Sequence, residues 1–284
     1  MTRLLTQFAA MALLSLLAAC GTPKMTEAPK GPPVPGYEAV EDAGFAIPEV
    51  DPRLLTDGYK KEEVAYTGTE APGTVVVDTF ARKLYYVEAD GKATRYGIAV
   101  GREGLSFRGS GVVGRKEKWP SWQPTGNMIR TRPDLYLEFA GGMGGGLDNP
   151  LGARAMYLYR GGRDSYFRIH GTIDNNSIGH ATSAGCIRLF NQDAIELFDR
   201  VKLGARIKVR TLDESVAMEG PYMDDAYGRA VPDTPENQAK KVKEAEALAK
   251  AEAANPELAA YDNAARAADA AAKKQAEAAG GSGT

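Results

Sequence analysis

Two cysteines and two histidines are the whole supply of sulfur nucleophile and imidazole in this 284-residue chain. Cys186 stands in "TSAGCIRLF", and His170 precedes it in "FRIHGT". A cysteine and a histidine are the smallest set that can transfer an acyl group through a thioester. The imidazole takes the thiol proton, the sulfur attacks a carbonyl, and a second nucleophile releases the acyl group. The spacing alone does not specify this chemistry, but the neighbours sharpen it. Gly185 lets backbone N–H groups approach a developing oxyanion. Arg188 offers a planar cation to a carboxylate. His180, in the loop "NNSIGHATS", reads as an exposed loop histidine. One cysteine, Cys186, and two histidines without ligand spacing do not make a metal site, and no cofactor is expected.

The other cysteine, Cys20, closes the leader "MTRLLTQFAAMALLSLLAAC". After Arg3 this is a short Leu/Ala-rich stretch, too short for a membrane span and typical of a secretory signal. "LAAC" resembles the bacterial lipoprotein signal, which implies cleavage after residue 19 and a lipid on Cys20. Gly21 rather than Asp there favours anchoring in the outer membrane from the periplasmic side, with the inner membrane as the alternative. Cys186 is then left alone in an oxidising compartment, where cysteines are usually paired. Such a thiol is either a buried small hydrophobe or a reactive group.

The elements that must hold these residues are short strands. "TVVVD", "KLYYVE", "RYGIAV", "AMYLYR", "YFRIHG" and "RIKVRT" are runs of β-branched and aromatic residues separated by turns, with a hairpin expected across Asp90-Gly91. They point to a mainly β sandwich or barrel with few helices. "NQDAIELFDRVKLG" reads as a helix, with Asn191 as N-cap and Ala194, Ile195, Phe198 and Val201 as its apolar face. Cys186 should therefore sit in a loop before a helix N-terminus, which favours a thiolate.

Composition divides the chain into a signal (1–19), a Pro/Gly/acid-rich flexible linker (20–71), a folded domain (72–212), a second linker (213–235), an Ala-rich charged helix (236–279) and a short tail (280–284). The helix reads as a solvated, semi-rigid spacer. The glycine cluster at 141–146 lacks the ending of a phosphate loop and reads as a flexible border of the site. Residues 72–212 carry 21 Lys+Arg against 13 Asp+Glu, while both flanks are acidic. A basic domain suits an acidic polymer. An exported chain seldom meets nucleic acid, so the carboxylate-rich cell wall is the expected partner.

"IHGT…TSAGCIRLFNQDAIELFDRV" resembles the signature of the L,D-transpeptidase catalytic domain of the YkuD type. "PGTVVVDTFARKLYYVEADGKATRYGIAVGREG", "WPSWQPTGNMIRTRP" and "NPLGARAMYLY" extend the resemblance over residues 72 to 212. The resemblance implies a β-sandwich-like domain in which Cys186 is the nucleophile and His170 the base. The Gly171 carbonyl orients the imidazole; Ser183, Gly185 and the Cys186 amide surround the oxyanion; Arg188 holds a substrate carboxylate. Many relatives carry His where this chain has Ala184, which removes one donor near the thiol. The implied reaction attacks peptidoglycan tetrapeptide stems, releases the terminal D-Ala, and passes the acyl group to a stem amine (a 3→3 cross-link), to an outer-membrane protein, or to water. The alternative is a non-catalytic wall-binding or tethering lipoprotein.

Overall fold

The computed structural model describes residues 31–56, 58–101, 107–183 and 185–255. The expected signal, Cys20, Ala184 and the distal part of the Ala-rich stretch lie outside the described residues. Folding begins before the expected domain. β1 (Val40–Asp42) and β2 (Phe45–Ile47) form a hairpin, and β3 (Glu62–Ala65) follows. The body continues with β4 (Val75–Asp78), β5 (Lys83–Val87), β6 (Lys92–Gly97), β7 (Val100–Gly101) and β8 (Ser110–Lys118). Two short helices, α1 (Gly126–Thr131) and α2 (Pro133–Tyr136), interrupt the strands before β9 (Arg154–Arg160) and β10 (Arg163–His170). Then come β11 (Ala181–Ser183), β12 (Ile187–Arg188), α3 (Asn191–Arg200) and β13 (Arg206–Val209). α4 (Leu212–Glu219), β14 (Tyr222–Asp224), β15 (Ala230–Pro232) and α5 (Pro235–Ala254) complete the described chain.

The protein is mainly β. Nine strands make one sheet in the order β12-β10-β9-β8-β13-β4-β5-β6-β3, parallel at β12–β10 and β13–β4. The chain leaving β6 crosses to the far edge. There Ala99 and Arg188 exchange both backbone hydrogen bonds, at 3.0 and 2.9 Å. That bridge curls the sheet back on itself and covers the β12 edge, which would otherwise offer unpaired backbone groups. Val77, Leu84 and Tyr96 from one half thus share a core with Met156, Leu158, Ile169 and Ile187 from the other. α3 plugs this core with Ala194, Leu197, Phe198 and Val201. Leu197 takes the inward place expected for Ile195, which is only half-buried.

The Asp90-Gly91 hairpin joins β5 to β6, with φ of 58° and 67°, the paired positive values a type I′ turn requires. β8 was not legible as a strand because "SGVVGRKEK" spends its length on charge. Arg115 and Glu117 line a cavity, and Lys116 donates to the Phe198 and Val201 carbonyls at the end of α3.

Both segments expected as linkers are instead packed on the body. From residues 31–71, Tyr37, Val50 and Tyr59 join Ala99, Ile178 and Phe190 in a second apolar cluster, and β3 pairs with β6. Asp42 takes both guanidinium nitrogens of Arg154 at 2.7 and 2.8 Å and the Trp119 indole N–H at 2.7 Å. From 213–235, Ser215 donates to Asp78 at 2.8 Å, and Glu219 pairs with Lys83 and Arg210. Pro/Gly/acid composition hides these segments because each is held by a few specific anchors rather than a periodic apolar face.

Candidate active site

The register of the parallel pair builds the site. Ile169 lies opposite Ile187, and His170 opposite Arg188. Side chains alternate across a sheet, so Ile169 and Ile187 point into the core, where both are buried. Arg168, His170, Cys186 and Arg188 face the other way and line one cavity of about 1060 Å³. The sequence therefore brings its Cys, His and Arg together by alternation on two neighbouring strands.

The floor and walls of the cavity come from the chain between β8 and β9. Trp122 packs against Tyr136 and Phe139 at ring distances of 6.3 and 6.1 Å. With Gln123, Met128 and Met143, these rings border the opening. The expected substrate-side loop and the glycine cluster both lie here; Gly141, Gly142 and Gly144 line the cavity.

His170 is 4% exposed, and its Nδ1 lies 2.5 Å from the Gly171 carbonyl oxygen. A carbonyl only accepts, so Nδ1 carries the proton and Nε2 keeps its lone pair. Burial, then the Arg188 cation, push the imidazole down to about 3. The ring is thus neutral at any physiological pH. Burial also pushes the Cys186 thiol up, while the Arg168 backbone N–H and the charges of Arg168 and Arg188 draw it back. The resting pair is a neutral thiol beside a neutral imidazole.

The expected helix N-terminus does not follow the thiol directly. β12 intervenes between Cys186 and α3, and α3 begins after Phe190 without a side-chain cap. Asn191, expected as that cap, is the first residue of the helix. Its Oδ1 accepts from Ala153 N–H at 2.9 Å, and its Nδ2 donates to the Thr172 carbonyl at 3.0 Å. A Cβ at Gly152 or Gly171 would collide with Asn191 Oδ1. Asn191 therefore fixes the turn that presents the Gly171 carbonyl to His170, a role its N-cap propensity concealed.

Gly185 has φ of 121°, a backbone state that favours glycine. Its backbone lies so close to Gly101 that a Cβ there would meet Gly185 Cα. β7, through Gly101, thus braces the turn that holds Cys186; only "AVG" in the sequence marks the spot. Ser183 ends β11, where its backbone pairs with Gly101. Among the described residues no hydrogen bond or ion pair engages the Arg188 guanidinium, which leaves it available to a ligand carboxylate. His180 differs from the exposed residue expected. It is half-buried, bridges Arg229 through the backbone, and is pushed down by burial and by the Arg229 charge. Among the described residues no cluster of three or more His, Cys, Asp or Glu could hold a metal.

A family model described as the L,D-transpeptidase catalytic domain matches residues 72–209. A putative L,D-transpeptidase of Fuscovulum blasticum is 38% identical over 138 residues, 48% of this chain and 68% of that protein. The probable L,D-transpeptidase ErfK/SrfK of Escherichia coli K12 is 35% identical over 138 residues, 48% of this chain and 43% of its own. The chain thus spans two thirds of one relative and under half of the other. A Brucella melitensis crystal structure, described as a probable carnitine operon oxidoreductase, is 46% identical and covers 56% of this chain and 96% of that one. Its TM-score of 0.39 is too low to transfer that activity.

Proposed function

The chain belongs to the L,D-transpeptidase catalytic domain family, and on that premise we propose that it is a cysteine acyltransferase acting on peptidoglycan stem peptides. The observation that carries this reading is the shared face of β10 and β12, where His170, Cys186 and Arg188 line one cavity. A stem carboxylate docks on Arg188. That anion offsets the cation that depresses His170, so binding itself raises the basicity of Nε2. Nε2 takes the thiol proton as sulfur attacks the carbonyl preceding the terminal D-Ala. The amides near Gly185 and Cys186, together with Ser183, receive the oxyanion. The imidazolium then protonates the leaving D-Ala amine, and a thioester remains on Cys186. A stem amine completes a 3→3 cross-link; a protein amine anchors that protein; water gives a carboxypeptidase. No cofactor takes part in this scheme. The leader and Cys20 support a periplasmic protein lipid-anchored to the outer membrane, with the inner membrane as the alternative.

The test incubates the lipid-free chain, residues 21–284, with purified tetrapeptide muropeptides and reads products by mass spectrometry. Cross-linked dimers with released D-Ala, absent from Cys186→Ala, are expected. Tripeptide alone would keep the thioester and reassign the acceptor. No product, and no carbapenem adduct on Cys186, would sink the reaction and leave a wall-binding lipoprotein.

A further inference from the structure

Arg168 is the second arginine on the cavity face, and it is held quite differently from Arg188. Counting along the parallel pair, it lies opposite Cys186 itself. Its guanidinium donates to both Asp164 oxygens, at 2.8 and 3.0 Å, and to the Phe167 carbonyl at 3.0 Å. It also lies 4.2 Å from the Tyr157 ring centroid, while Arg115 sits over the same ring at 3.5 Å. Tyr157 in turn donates to Glu117 at 2.6 Å. Three strands thus immobilise one cation on the cavity face that Cys186 also lines.

The arrangement has a built cost. β10 bulges between Asp164 and Arg168, and Tyr166 within the bulge has φ of 62°, a strained value for an aromatic residue. The bulge folds Asp164 back toward Arg168, since Tyr166 N–H also donates to Asp164 at 2.8 Å. A straight strand would hold residues 164 and 168 about 13 Å apart, beyond a bidentate pair.

We propose that Arg168, clamped by Asp164 and Tyr157 opposite the nucleophile, is a fixed cation that sets how readily Cys186 ionises. The inference rests on Cys186 being the nucleophile of the proposed reaction. It separates two jobs that one arginine cannot do together. Arg188 is open to a carboxylate and loses its influence on the thiol once that carboxylate binds. Arg168 already has its counter-ion, so its influence persists through the reaction. Asp164 opposes it, and is the weaker influence on the sulfur. The other titratable and charged groups that face the thiol across the cavity are His170, Arg188, Tyr157, Arg115 and Glu117 from the strands, and Tyr136, Asp148 and Tyr166 from its rim. Among the described residues, Arg168 is the cavity arginine that a carboxylate grips through both of its oxygens.

The test measures the rate of Cys186 alkylation by iodoacetamide against pH, using residues 21–284, in which Cys186 is the sole thiol. Sulfur forms the bond to carbon, iodide leaves, and only the thiolate reacts, so the midpoint reports thiol ionisation without any substrate. Arg168→Met should raise that midpoint by about one unit and slow alkylation below it about tenfold. Arg168→Lys, which keeps the charge, should restore at least half of the loss. Thermal unfolding of each variant confirms the fold; if Arg168→Met does not fold, Arg168→Gln is read by the same criteria. An unchanged midpoint in a folded charge-free variant would overturn the proposal, as would equal shifts for Met and Lys. A wild-type chain inert on muropeptides but with an Arg168-dependent midpoint would keep this inference and remove the reaction.

Discussion

Single residues carry opposite electrostatic loads here, and pH separates them. Asp193 is wholly buried in α3, with Tyr37 donating to its Oδ2 at 3.0 Å and the Lys61 ammonium forming a long ion pair, 3.9 Å from Oδ1. Burial raises its carboxyl from 3.8 to about 7, against the pull of Lys61 and Tyr37. A folded value above the unfolded one stabilises the fold fully in acid, and that stability is lost as pH rises through about 7. His170 has the reverse sign: lowered from 6.5 to about 3, its contribution is full above 6.5 and lost on acidification. The difference in Tm between wild type and Asp193→Asn should therefore shrink as pH rises from 4.5 to 8. A difference independent of pH would mean that the buried carboxyl does not titrate in this window. Asn191 poses a catalytic counterpart. Asn191→Ala strands the Ala153 N–H and the Thr172 carbonyl, each costing about 1–3 kcal/mol, and frees the Gly171 carbonyl from its place. Turnover should fall on the order of a hundredfold with KM little changed. A pure stability loss with normal turnover in the folded fraction would remove Asn191 from the positioning of His170. The motif residues were legible because Cys, His and Gly are scarce or conformationally special. Asn191 and Arg168 were not, because each has an ordinary local explanation (a helix cap, a strand charge) that only the tertiary contacts displace.

At the scale of elements, the strands around His170 could be read from their β-branched and aromatic runs, since burial on the core face imposes that pattern. β12 could not be read. Two residues long, it exists because β10 and the Ala99 bridge supply its partners. The segment before residue 72 escaped for a different reason. Its hold on the body is ionic and aromatic, in Asp42 on Arg154, Tyr37 on Asp193, and Gln192 donating to the Glu38 and Pro48 carbonyls at 3.1 and 2.9 Å. Arg154 is 2% exposed and sits in β9 beside the turn that precedes the site. Removing Asp42 leaves that guanidinium buried without its carboxylate, a loss of about 3–5 kcal/mol. A chain starting at residue 72, the family boundary, should thus melt about 10 °C or more below one starting at residue 31, with catalysis impaired even at low temperature. Equal melting temperatures would restore the segment to the status of a linker.

For the whole molecule, the basic domain stands between acidic flanks, and the flanks differ in how they attach. The N-terminal one is part of the body. The C-terminal one leaves it through α5, whose described residues include none that is buried. α5 is tied at its start, where Thr234 caps Asn237 N–H at 3.2 Å, Asn237 donates to Pro232 at 2.8 Å, and Lys241 donates to Asp224 at 2.6 Å. Beyond Lys241 the described helix has no fully buried residue: Val242 is 60% exposed and Leu248 half-buried. None of its described residues lines the cavity. Deleting residues 243–284 should therefore leave both Tm and turnover on soluble muropeptides within error of the parent. Binding to intact, carboxylate-rich wall should persist too, and weaken with added salt in parent and truncated chain alike, because the charge that drives it lies in residues 72–212. Loss of turnover on soluble substrate would make the helix part of the catalytic unit; loss of wall binding alone would make it the contact and demote the basic domain.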